Sequence, residues 1–72
     1  MKEEILHDIE EYVRKEYGTD PLFGNNARHY AFCKWYLIKP DEMPIDDIFN
    51  IFNNEIYPVI KERLGISENN TI

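Results

Sequence analysis

This chain has little of what most chemistry needs. Its 72 residues include one cysteine, two histidines, three glycines and a single serine, Ser67. One cysteine cannot close an internal disulfide, so Cys33 points to a reducing compartment. His7 and His29 stand far apart and share no metal-ligand spacing with Cys33, so no metal site and no other cofactor is expected. There is no glycine-rich phosphate loop. No serine precedes a plausible base. No apolar run nears the roughly 20 residues that span a bilayer. The opening Met1-Lys2-Glu3-Glu4 is not followed by an apolar run of signal-peptide type. A cytoplasmic protein that is not an enzyme is the expectation. The sequon Asn69-Asn70-Thr71 then reads as coincidence.

Cations are also few. Eight Lys+Arg face 14 Asp+Glu, for a net charge of −6. Such a chain repels polyanions at long range, which disfavours nucleic acid and anionic membranes as partners. Apolar residues are plentiful, at 43%, with 14% aromatic, too many for a disordered segment. One domain is the most this length supports. It is expected over residues 1–66, with a flexible tail at 67–72.

The apolar spacing is helical throughout. Residues 3–17 place Ile5, Leu6, Ile9, Tyr12 and Val13 on one side. Glu10→Arg14 and Glu11→Lys15 fall at i,i+4 on the polar side. Gly18 can end this helix. Asp20-Pro21 suits a single helical turn. Gly24-Asn25-Asn26 reads as a break, with Asn25 or Asn26 capping a helix over 27–38. That helix is apolar all round, which marks a buried central helix or one covered by a partner. Trp35 is its expected core anchor, and Cys33 a buried small hydrophobe. Pro40 stops it. Asp41-Glu42-Met43 forms a turn with Asp41 as the available cap. Ile45, Ile48, Phe49, Ile51 and Phe52 make the apolar arc of a third helix. Asn53-Asn54 reads as the next break, with Asn54 capping a last helix over 55–64. Pro58 is tolerable in its first turn. Gly65 and Ile66 fit a closing glycine with a hydrophobic contact. The fold class is all-α, a small bundle of about four helices with a helix-turn-helix-like core.

Asp20-Pro21-Leu22, Ala27-Arg28-His29-Tyr30-Ala31, the pair Ile48 and Phe52, and Val59 or Ile60 carry a family likeness. From about Tyr17 to Ile60 the chain resembles the C-terminal DNA-binding domain of the bacterial replication initiator (DnaA) family. The resemblance implies an all-helical fold with a helix-turn-helix. Between Arg28 and Ile48 the spacing matches only with a short insertion. The family's arginine-rich loop is represented by Arg28 alone. Where its recognition helix opens on an arginine-aspartate-histidine-serine-threonine run, this chain has Asn54-Glu55-Ile56-Tyr57-Pro58. Origin binding is not expected to carry over.

Two functions follow. The first is a small acidic protein-protein interaction module, an adaptor, inhibitor or regulatory subunit of the kind a phage or mobile element encodes. Its partner would be another protein or a second copy of the chain. Phe32 with Tyr36 would face that partner. Glu10, Glu11, Asp46 and Asp47, otherwise solvated charges on polar helix faces, could imitate DNA toward a basic protein. The alternative is a divergent DNA-binding helix-turn-helix protein. It needs Arg28, Lys34, Lys39, Lys61 and Arg63 to form one basic face.

Overall fold

A computed structural model describes residues 2–17 and 23–66. Among these residues every regular element is helical, in the order α1 (Lys2–Tyr17), α2 (Phe23–Ile38), α3 (Ile45–Ile51), a π-helical stretch (Phe52–Ile56) and α4 (Tyr57–Leu64). The last three run into one another without a break. The architecture is therefore three helical bodies rather than about four separate helices. Gly18, the turn at Asp20-Pro21, the tail and the sequon lie outside the described residues.

The core forms where the helical stripes meet. Leu6, Ile9 and Val13 of α1 are buried, as their spacing requires. α2 answers with Ala27, Ala31 and Trp35, also at i,i+4. Two of these are alanines, small enough to let a neighbouring helix come near, and Trp35 is the bulky member of the stripe. Ile48, Phe52, Ile56, Tyr57 and Ile60 close the core from the joined helix.

Two expected breaks are absent. α2 begins at Phe23, so Gly24-Asn25-Asn26 lies inside it and neither asparagine caps a helix starting at 27. Asn53-Asn54 likewise sits inside the helical run, and Asn54 caps nothing. The helix-turn-helix reading of residues 45–64 needed a turn there. An asparagine costs under about 1 kcal/mol in a helix. Burying Phe52, Ile56 and Tyr57 gains about 1.5–3 kcal/mol each, so packing outweighs propensity. The local signal that survives is Pro58. In an unbroken α-helix its ring would strike the carbonyl of Asn54, and it offers no N–H. The helix widens just before it: Tyr57 N–H donates to Phe52 O, five residues back. A π-bulge beside a proline accommodates the clash without ending the helix.

The other boundaries follow local chemistry. Lys39 and Pro40 end α2, and Asp41-Glu42 form the turn, with Glu42 at φ 64°. Asp41 does not cap α3. Pro44 holds that place in an extended conformation, and its carbonyl accepts from Ile48 N–H at 3.0 Å. At the end of α4, Gly65 takes φ 68° and donates to Glu62 O at 3.2 Å, while Ile66 N–H donates to Lys61 O at 3.0 Å. With Ile66 buried, this is a complete Schellman closure.

One ion-pair network ties the chain's two ends together. Arg63 of α4 forks onto Glu3, with Nη1 at 2.8 Å from Oε2 and Nη2 at 2.8 Å from Oε1. It also lies 3.5 Å from Glu10, which Arg14 bonds at 2.8 Å. Hydrogen bonding from Arg63 lowers the pKa of Glu3, and bonding from Arg14, with Arg63 adding to it, lowers that of Glu10. Depressed carboxyl pKa values contribute stability above the unfolded value and lose it as pH falls through the folded one. Stability should therefore decline as pH drops below the ordinary value of 4.5. Arg63→Gln should flatten that decline in urea titrations at pH 7, 4.5 and 3 (about the span of carboxyl titration). An unchanged slope in the variant would assign the acid sensitivity to other carboxylates.

Candidate interaction surface

α1 and α4 cover one flank of α2, and the rest of its circumference accounts for the apolar-all-round pattern. Ala27, Ala31 and Trp35 point inward, while Phe32 and Cys33 are half-buried and Tyr36 and Leu37 are exposed. The chain then doubles back through the Asp41-Glu42 turn. Trp35 Nε1 donates to Ile48 O at 3.2 Å, which fixes α3 beside α2. Phe49 is thereby laid flat on Phe32, with ring centroids 5.3 Å apart and planes 3° from parallel. Phe52 meets the same Phe32 ring edge-on at 5.1 Å, and Tyr36 lies at 6.2 Å.

Phe32 is thus the hub of an aromatic row that begins in the core and emerges at the surface. At the surface, Tyr36 is 52%, Leu37 75%, Ile45 63% and Phe49 46% exposed. Ile45 stands one turn before Phe49 on the same side of α3. A shallow, wholly apolar hollow of about 400 Å³ lies among Phe32, Cys33, Tyr36 and Leu37.

Phe32 and Tyr36 were legible in the sequence and do come together. Leu37, Ile45 and Phe49 were not identified as surface residues. Ile45 and Phe49 were expected in the core arc, but α3 is seven residues long and only Ile48 of it is buried. The sequence signal was the width of that arc, which exceeds what a single neighbouring helix covers. Cys33 is half-buried rather than buried, and its Sγ lies 3.7 Å from His29 Nε2, one turn earlier. Lys34 points away from it, over the Tyr12 ring at 5.5 Å.

The charged candidates are dispersed. Glu10 is not a solvated surface charge but is half-buried between Arg14 and Arg63. Glu11 faces His7 at 3.8 Å. Asp46 and Asp47 occupy the exposed first turn of α3, where acidic side chains complement the helix dipole. Among the five cations, Arg63 is held by Glu3 and Glu10. Lys34 sits over Tyr12, and Lys39 over Tyr36 at 4.7 Å. Arg28 lies 4.7 Å over the Tyr57 ring and donates to Asn53 Oδ1 at 2.7 Å. Arg28 and Lys61 alone share a site, an open cleft of about 670 Å³ that Glu62 also lines.

Among the described residues no group of three or more His, Cys, Asp or Glu could hold a metal ion, and no helix is long and apolar enough to cross a membrane. No protein-family model, no curated protein and no solved structure matches this chain.

Proposed function

We propose that this chain is a protein-interaction module, an adaptor, inhibitor or regulatory subunit that docks through the aromatic face of α2 and α3. The observation that carries this reading is the exposure of Tyr36, Leu37, Ile45 and Phe49 around the half-buried Phe32. Large side chains left open together on a small domain mark an interaction site. Aromatics stacked on one another are already ordered, so docking them costs little side-chain entropy. Binding rather than catalysis is the activity, and we assign no catalytic residue. The cations give the DNA-binding alternative less support, since most lean on rings or carboxylates of the chain itself.

Two measurements test the reading together. Native affinity capture with the parent chain and with Ile45→Glu should show a protein retained by the first and lost by the second, with equal helicity by circular dichroism. Fluorescence anisotropy against a randomised duplex pool should show weak or no binding at physiological salt. Selection of a defined sequence with tight, steeply salt-dependent binding would replace the interaction reading with the helix-turn-helix one.

A further inference from the structure

We infer that the occupant of this face is a second copy of the chain, packed across a two-fold axis along α2. The inference rests on the interaction reading above and adds the identity of the partner.

Charge is the first argument. Residues 23–40 hold three of the eight Lys+Arg and none of the 14 Asp+Glu, which leaves five against 14 in the rest. α2 is the one helix of the described chain without an acidic residue. Its outward face from Phe32 to Leu37 carries no carboxylate: Lys34 turns aside to Tyr12, and the charge that lies on the face is the Lys39 ammonium over the Tyr36 ring. Two bodies of net charge −6 repel wherever their acidic surfaces meet. Contact along α2 puts a helix without carboxylates at the seam, with Lys39 on it and Asp46 and Asp47 of α3 at its edge beside Ile45.

Shape is the second. The surface is the ridge of a helix with a shallow hollow beside it, and the domain is a slab with principal extents of 36 × 26 × 16 Å. A ridge does not enclose a peptide as a groove does. It packs ridge-into-groove against another helix surface of the same kind. A two-fold contact needs only that one patch complement itself, which an apolar patch does.

Area is the third. With about 200 Å² per large side chain, the four exposed residues offer roughly 450–500 Å². Two copies bury at most about 900–1,000 Å² in total, which only just approaches the lower bound for a specific interface. The dimer should therefore be weak and concentration-dependent, with a Kd in the micromolar range.

Light scattering on a sizing column, from micromolar to millimolar concentration, tests this directly. The mass should rise from 8.7 kDa toward twice that value. Leu37→Glu should weaken association about 100-fold, since each dimer then buries two unpaired carboxylates. Leu37 is too exposed for this change to unfold the chain, and circular dichroism checks that. Tyr36→Ser should weaken association about tenfold, and Glu4→Gln on α1 should leave it unchanged. A chain that stays monomeric at millimolar concentration would overturn the inference while leaving the face free for a foreign partner. A dimer indifferent to both α2 substitutions would also overturn it, by placing the contact elsewhere.

Discussion

Trp35→Ala should leave this domain largely unfolded at room temperature. Trp35 is buried in the core, and its indole N–H donates to Ile48 O at 3.2 Å. Deleting a buried aromatic ring typically costs about 3–5 kcal/mol, because neighbours collapse only partly into the cavity. The lost hydrogen bond adds about 0.5–1.5 kcal/mol. A single core in a chain of this size rarely supplies more than about 3–5 kcal/mol. The cost therefore matches the whole stability. It also removes the link that holds α3 against α2, so the aromatic face loses its frame. Trp35→Phe keeps a ring and loses the donor, and should stay folded with a lower Tm. Far-ultraviolet thermal melts report both variants, since Trp35 is the only tryptophan. A Trp35→Ala melt within a few degrees of the parent would show that the core does not depend on it.

How much of this was legible in the sequence depends on which physics each feature uses. Local chemistry was legible. Pro40 ends α2, Gly65 and Ile66 close α4, and Ile9 and Val13 fall on the buried side of α1, all because adjacent residues decide them. Asn25-Asn26 and Asn53-Asn54 read as breaks because local preference was the information at hand, and burial of Ala27, Phe52 and Ile56 overrode it. The site was legible in part for a related reason. A helix apolar all round must expose something apolar unless neighbours surround it, which singled out Phe32 and Tyr36. Periodicity places Ile45 and Phe49 on one face of α3 but cannot say whether another helix lies there. The cations were the least legible. Arg28, Lys34 and Lys39 each rest on an aromatic ring whose position is set by tertiary packing.

Phe52 joins these levels, and its removal should have the other large effect. Its ring is among the most fully buried in the chain, and its carbonyl accepts the wide-turn bond from Tyr57 N–H. Phe32 meets it edge-on at 5.1 Å, Tyr57 stacks at 5.8 Å, and Arg28 lies 6.0 Å from its centroid. Phe52→Ala should cost about 3–5 kcal/mol from burial and cavity. Each lost aromatic pair adds about 0.5–1.5 kcal/mol. That again equals the stability of a small single core, so the variant should be largely unfolded. Phe52→Leu separates folding from docking. Leucine refills most of the volume, so helicity should persist and Tm should fall. Phe32, however, loses the edge that backs its stack on Phe49, so the exposed face loosens while the helices remain. Near-ultraviolet circular dichroism should weaken in Phe52→Leu, and its self-association should fall with it, although Phe52 itself is buried. A Phe52→Leu chain that associates as tightly as the parent would show that the face is ordered by α2 and α3 alone. The row of rings running from the core to the surface would then have no part in binding.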